Sequence, residues 1–522
     1  HQEARRQRQM CIRDSYYITT PIYYPSAKPH MGHAYSSIIA DFFARFKRMQ
    51  GFNVFYLTGT DEHGQKIERA AKENGKEPLA FCDEISQTFK DLTQTLNLSN
   101  NDFIRTTEER HKKSAKNIWN ILEKKGEIYL SKYSGWYSVS DEAFYTDDEI
   151  EEVNGFKQCK ISGSKVEWVE EESYFFKLSK WEKTLIKFYE DNPHFILPIS
   201  RKNEVVSFVK GGLKDLSVSR KSFKWGIPVP TNDQHVMYVW LDALTNYLSA
   251  LNYPNEKDEL YKNFWPADLH VIGKDILRFH AVYWPAFLLA ADIKPPKRVY
   301  GHGWILSGDQ KMSKSKGNIL DPIEIINTYG LDPLRYYLIK EVSFGNDGNI
   351  SEEKLENCIN SDLANNYGNL CQRVTSFCEK NMNSEISKDV NFVDEDLNLL
   401  SNYTDNFTKI VEYVDKQDIN SYINFIVDQL FAANKYFNDQ EPWKKKGDKK
   451  RLNTIVYTSL ELIRKVTILL YPIIPNTAQK TMKIFNIEFE KNNLETIKNN
   501  KFINSGKINK IPILFKKIEN ND

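Results

Sequence analysis

From Tyr16 to Gly64 the chain changes its periodicity in an order that constrains the fold to an α/β sheet. Tyr16-Tyr17-Ile18-Thr19-Thr20 has the β-rich composition of a strand, and Pro21, Pro25 and Pro29 punctuate the loop after it. From His33 to Gln50 the apolar positions Ile38, Ile39, Phe42, Phe43 and Phe46 recur at helical spacing, and Gly51 fits the stop. Val54 to Leu57 reads as a second strand, ending in Thr58-Gly59-Thr60-Asp61-Glu62-His63-Gly64. A strand, loop, helix, strand unit with polar residues at the carboxyl ends of its strands predicts a parallel sheet, and open parallel sheets bind ligands at those ends.

At 522 residues the chain exceeds a single core. Residues 1–15 are polar and precede the strand pattern, which occupies 16–115. Residues 116–225 change character, with short aromatic and charged segments that suggest an inserted domain, and the α/β pattern resumes over 226–300. A loop-rich region spans 301–354. Beyond it, over 355–522, the chain is Asn- and Lys-rich and helical in period, with Leu363, Tyr367, Leu370 and Val374 on one face, so a helical bundle is expected.

A net charge of +1 means that any nucleic-acid footprint must be local. The cysteines at 11, 82, 159, 358, 371 and 378 show no Cys-x-x-Cys spacing, which favours reduced, intracellular thiols. No apolar run of about 18 residues suggests a membrane span. Residues 1–15 lack the apolar core of a secretory signal; their arginines suit an organellar transit remnant, but Glu3 and Asp14 do not, and sequence foreign to the folded chain is the other reading.

Two short motifs answer each other across the sequence. His30 and His33, at i and i+3 around Gly32, fall where the loop turns into the helix, so backbone N–H groups and the positive end of the helix dipole join them. Gly32 lets an adenine or ribose approach the backbone. Lys311 and Lys314 sit on a loop followed by Lys316-Gly317-Asn318. Together the pairs can grip one polyphosphate from opposite sides, although either pair alone fits a solvated loop equally well. No third ligand accompanies the histidines, so a metal reading is poor.

Pro29-His30-Met31-Gly32-His33 and Lys311-Met312-Ser313-Lys314-Ser315 resemble the two signatures of class I aminoacyl-tRNA synthetases. The surrounding sequence resembles the methionyl-tRNA synthetase family: Pro21-Ile22-Tyr23-Tyr24-Pro25, Thr58 to Gly64, Val239-Trp240-Leu241-Asp242-Ala243, and Ile272-Gly273-Lys274-Asp275-Ile276 followed by Phe279-His280. The resemblance implies a Rossmann-like α/β catalytic domain carrying an inserted connective domain, followed by an all-α anticodon-binding bundle. It implies attack of the methionine carboxylate on the α-phosphorus of ATP, with His30, Gly32, His33, Lys311 and Lys314 at the nucleotide and Mg²⁺ on the phosphates. A carboxylate is already an unprotonated nucleophile, so positioning and charge stabilisation suffice for catalysis.

On the same match Asp61 would hold the methionine ammonium group, and Ile22, Tyr24, Trp240, Ala243, Leu244, Tyr247, Ile276 and His280 would line the side-chain pocket, with Arg220 near the substrate carboxylate. Aromatic walls favour a polarizable sulfur, and Tyr24 and His280 could direct a hydrogen bond at it. The insert is too short for the editing domain of leucine, isoleucine and valine enzymes. Many relatives carry a zinc knuckle on Cys-x-x-Cys pairs there, but this chain has Tyr137-Ser138-Val139-Ser140-Asp141-Glu142 and a lone Cys159, so no zinc is expected.

In the C-terminal part, Asn369, Arg373 and Trp443 of Glu441-Pro442-Trp443 match the family residues that read the CAU anticodon, and amide, guanidinium and aromatic ring suit splayed bases. The basic run Lys444–Lys446 and Lys449–Arg451 fits a phosphate contact or a solvated loop. The expected partners are tRNA(Met), methionine and ATP. Residues 511–519 resemble the usual close of the synthetase core with no appended module, hence an expected monomer, with a cytoplasmic location or, alternatively, the mitochondrial matrix. Two other classes compete with this reading: a non-catalytic RNA-binding relative, which should have lost His30, His33, Lys311 and Lys314, and a nucleotidyltransferase of similar fold, which would not need the bundle.

Overall fold

The computed structural model describes residues 14–141, 143–307, 310–311, 320–489 and 494–519. The chain divides into two compact units, one of residues 14–40 and 53–302 and one that includes residues 41–52 and 303–522.

The first unit is built on a six-stranded parallel sheet. In chain order its strands are β1 (Ser15–Thr19), β2 (Asn53–Thr60), β3 (Asp102–Arg105), β4 (Ile196–Leu197), β5 (Leu269–Gly273) and β6 (Val299–His302), and they lie side by side as β3-β2-β1-β5-β6-β4. Ile18 is in register with Tyr56 on one side and Leu269 on the other. The order reverses between β1 and β5, the switch point at which sheets of this type open a crevice beyond their carboxyl ends. One contiguous core includes Leu57, Ile104, Trp119, Leu248, Ile272 and Trp284.

Three elements differ from the sequence reading. β2 runs on through Thr58-Gly59-Thr60, because Gly59 lets β3 approach: a Cβ there would lie 2.0 Å from the Ile104 carbonyl oxygen. The change of composition at 116 falls inside the helix Glu109–Lys124, whose Ala115, Ile118, Trp119 and Leu122 belong to the core. Within 116–225, Ile196–Leu197 joins the main sheet as edge strand β4. The insert proper is an antiparallel sheet in which Ile128–Ser138 pairs with Glu167–Phe176, with a hairpin of Ile150–Val153 and Phe156–Cys159 between them.

In the second unit, Asp41 anchors residues 41–52. Its buried carboxylate accepts from Arg45 Nε at 2.7 Å and from Arg335 Nη2 at 2.7 Å. Helices from Leu331 to Met482 form the bundle. Leu363, Tyr367, Leu370 and Val374 are all buried, as their spacing predicts. Ile359–Gly368, however, is wound as a π-helix before Asn369–Met382 continues as an α-helix. None of the helices described is long and apolar enough to cross a membrane.

Candidate active site

The loop after β1 folds back along β2. Tyr23 N–H donates to Gly59 O and Asp61 N–H to Tyr23 O, both at 2.9 Å, so Asp61 is held beside Ile22 and Tyr24. The next residue is the anchor of this turn. Glu62, fully buried, accepts from Thr60 Oγ1 at 2.8 Å, Ser86 Oγ at 2.5 Å, Thr107 Oγ1 at 2.5 Å, and Arg105 Nε and Nη2 at 2.6 and 3.0 Å. Burial alone would raise its pKa, but these donors, Arg105 foremost, bring it below the usual value.

His30 and His33 open the helix Met31–Met49. Gly32 N–H donates to His30 Nδ1 and His30 N–H to His33 Nδ1, both at 3.1 Å, so each ring caps the helix start through Nδ1. A neutral ring accepting at Nδ1 carries its proton on Nε2, where it is a donor. The rings lie 3.9 Å apart, and His33 also packs edge-on to Tyr23 and Phe89. Desolvation, then the neighbouring His30, hold the His33 pKa well below its ordinary value. At Gly32 a Cβ would sit 2.9 Å from the His30 ring.

The apolar residues assigned to the methionine side chain belong to or pack against one large core. Ile22, Tyr24 and Ile276 pack against the core that contains Trp240, Ala243, Leu244 and Tyr247. Trp240 stacks on Phe279 with ring centres 3.6 Å apart. Phe279 and His280 belong to a π turn, Phe279–Tyr283, beyond the carboxyl end of β5; such turns often re-aim side chains at functional positions. His280 Nδ1 lies 3.0 Å from the Ile276 carbonyl, so it donates there, and Nε2 accepts from Tyr247 O–H at 2.7 Å. Burial lowers the His280 pKa to about 4. Behind Tyr247, at 4.2 Å between ring centres, lies buried His270, bonded through Nδ1 to Thr19 Oγ1 at 2.7 Å.

Arg220 lies on the two-residue strand Ser219–Arg220, paired with Asn232–Met237. Its buried guanidinium is boxed by the rings of Tyr238, Phe144 and Tyr137 at 4.0, 4.2 and 5.2 Å. Nη1 donates to Ser217 Oγ and Ser219 O, while among the described residues Nε and Nη2 have no hydrogen-bond acceptor and Glu171 Oε1 is 3.6 Å from Nε. Lys311 contributes backbone to the two-residue strand Gln310–Lys311. Lys314 lies outside the described residues.

Sequence reasoning missed a buried bridge. Asp242 Oδ2 accepts from His63 Nδ1 and Oδ1 from His111 Nε2, each at 2.6 Å, and all three side chains are buried. Burial would raise the Asp242 pKa, but the two histidines outweigh it and bring it to about 2. The bridge ties the Asp61-bearing turn to the helix Val239–Leu244, which carries Trp240 and Ala243. Polar residues on two quoted motifs, His63 and Asp242, were the available signal; His111 had none.

In the insert, Asp141 gathers three hydroxyl groups. Its carboxylate accepts from Ser164 Oγ, Ser162 Oγ and Tyr145 O–H at 2.6, 2.5 and 2.8 Å. Cys159 is buried. Among the described residues no three His, Cys, Asp or Glu side chains are grouped to hold a metal ion.

Within the second unit, Asn369 is exposed, and Arg373 donates through Nη2 to Asn438 Oδ1 at 2.6 Å. Phe437 lies between the other candidates, 5.5 Å from the Arg373 guanidinium and 6.4 Å from Trp443, which is 42% exposed. The basic run is not one surface. Arg451 turns inward to Asp396 and Gln440, and Lys450 and Lys444 pair with Asp389 and Glu441.

A six-stranded parallel sheet with a donor-lined helix start after its first strand and buried aromatic rings beside β5 is the frame of a class I synthetase. The family described as tRNA synthetases class I (M) matches residues 16–156 and 152–375, and the anticodon binding domain of methionyl tRNA ligase matches 387–522. The methionine–tRNA ligase of Rickettsia conorii is 49% identical over 475 residues, covering 90% of this chain and 92% of that protein. That of Brucella suis is 48% identical over 480 residues, covering 92% and 93%. The structure of Mycobacterium tuberculosis methionyl-tRNA synthetase in complex with methionyl-adenylate superposes with a TM-score of 0.94 at 42% identity, covering 96% of this chain and 99% of that one. The chain belongs to the methionyl-tRNA synthetase family, class I enzymes that use ATP to join methionine to tRNA.

Proposed function

We propose that the crevice beyond β1, β2 and β5 holds methionine against ATP, and that each side chain gathered there has a separable task. The observation that carries this reading is the Tyr247–His280 hydrogen bond beside His270 of β5, with Phe279, the neighbour of His280, stacked on Trp240. Asp61 receives the ammonium group. Ile22, Tyr24, Trp240, Ala243, Leu244, Tyr247, Ile276 and His280 enclose the side chain. Tyr247 O–H is committed to His280, which leaves its oxygen lone pairs toward a donor and its ring toward the sulfur. The unfilled N–H groups of Arg220 suit an anionic group such as the substrate carboxylate.

His30 and His33, neutral and with Nε2–H as donor, bind the phosphates, and His33 stabilises charge as the α-phosphorus becomes five-coordinate. Lys311 and Lys314 grip the phosphates from their loop. The carboxylate oxygen of methionine forms the new P–O bond while the bond to pyrophosphate breaks; Mg²⁺ would neutralise the departing phosphates. Transfer then joins methionine to the 3′ adenosine of tRNA. Asn369, Arg373 and Trp443 read the CAU anticodon, Trp443 by stacking and Arg373 at a base edge.

The insert keeps its shape without zinc through the hydrogen bonds centred on Asp141. Amino-acid-dependent exchange of pyrophosphate into ATP, run with each of the twenty amino acids, tests the pocket. Methionine alone should support rapid exchange, and equal exchange with leucine or isoleucine would refute the assignment.

A further inference from the structure

The insert reaches the wall of the methionine pocket through an ion pair. Arg278 immediately precedes the π turn that carries Phe279 and His280. Its Nη2 donates to Glu149 Oε1 at 3.1 Å, and its guanidinium lies 4.1 Å from the Phe208 ring centre. The two side chains are 29% and 20% exposed, so the pair is shielded enough to hold a geometry rather than fluctuate as a surface contact does.

Glu149 is itself fixed. Its Oε2 accepts from Thr146 N–H and Oγ1, each at 3.0 Å, which commits one carboxylate oxygen to the turn and aims the other at Arg278. The Glu149 carbonyl accepts from Lys160 N–H at 2.9 Å, tying that turn to the far end of the hairpin. Asp141 then clamps Tyr145, next to Thr146, to Ser162 and Ser164. Hydrogen bonds joined through the Tyr145-Thr146 peptide therefore link Asp141 to the residue before the pocket wall.

We infer that Glu149 and Arg278 are positioning residues for methionine: the tip of the insert braces the π turn, and the Asp141 cluster supplies the rigidity that makes it a brace. This rests on the pocket reading given above. An unbranched, flexible side chain is selected by where its walls stand, so a small displacement of Phe279 and His280 weakens methionine and leaves the phosphate site alone.

The test uses E149Q, R278K and D141N in the full chain, with pyrophosphate exchange followed over separate methionine and ATP series and melting recorded for each protein. E149Q and D141N should raise the methionine KM about tenfold, with the ATP KM and the melting temperature unchanged. R278K, which keeps the charge but loses the planar contact with Phe208, should fall between them and the parent. An unchanged methionine KM in both E149Q and D141N overturns the inference. So does an equal rise in both KM values accompanied by a lower melting temperature, which marks a merely structural role. If the parent protein shows no methionine-dependent exchange, the pocket reading itself fails.

Discussion

Replacing Asp242 by Asn removes one buried charge and mismatches one hydrogen bond without changing the size of the side chain. The carboxylate pKa moves from 3.8 to about 2 between its ordinary and folded settings, and at about 1.4 kcal/mol per unit this is about 2 kcal/mol of stabilisation at neutral pH. An amide oxygen can still accept from His63 or His111, but the amide N–H₂ then faces the N–H of the other ring. A buried donor without an acceptor costs about 1–3 kcal/mol. The sum, about 3–5 kcal/mol, is also the range for breaking a buried ion pair from one side. Urea unfolding followed by tryptophan fluorescence reads the effect, since all but Trp304 and Trp443 of the ten tryptophans lie in the first unit. The transition of that unit should move to lower urea by about 1–3 M, and the methionine KM should rise because the bridge holds the Asp61 turn to the Trp240 helix. A loss below about 1 kcal/mol would show that Asp242 is not the charged centre of the bridge.

His33→Ala should slow adenylate formation by about 2.7–4 kcal/mol, as for one lost oxyanion donor, with methionine affinity nearly intact in pre-steady-state kinetics. Acid should destabilise the first unit between pH 6.5 and about 4: unfolded His280 takes up a proton near its ordinary pKa of 6.5, the folded residue only near about 4, so the unfolded chain binds more protons as pH falls. The loss should reach about 3 kcal/mol from His280 in urea titrations, and His33 and His270, both lowered, act in the same direction. Trp443→Ala should raise the KM for tRNA by the equivalent of about 1–3 kcal/mol per stacked base while pyrophosphate exchange persists; equal loss of both activities would make the residue structural. Elemental analysis after chelator-free purification should find no stoichiometric zinc, and near-equimolar zinc would overturn the reading of the insert.

The sheet is legible because its first strands and the polar turns after them form short motifs that stay contiguous in sequence. What escaped is long-range or finely local. His63 and His111 lie 179 and 131 positions from Asp242 along the chain, and a histidine whose partner is so distant carries no local signal. β4 is two residues long, too short for any periodicity. Gly59 reads as a loop residue until its neighbour Ile104 shows why a strand needs it there. The helix Glu109–Lys124 was divided at 116 because its polar face resembles the insert, although its other face is core. A π turn differs from an α turn by one residue per hydrogen bond, which the spacing of Leu363 and Tyr367 does not reveal.

One chain is expected to select methionine in the first unit and its tRNA through the bundle. Aminoacylation with labelled methionine, comparing tRNA transcripts that carry CAU with otherwise identical ones carrying an altered anticodon, tests both halves at once. Methionine should be esterified to the CAU transcript at a far higher kcat/KM than to the altered ones. Equal charging of all the transcripts, or preferential charging of the CAU transcript with a different amino acid, would contradict the account.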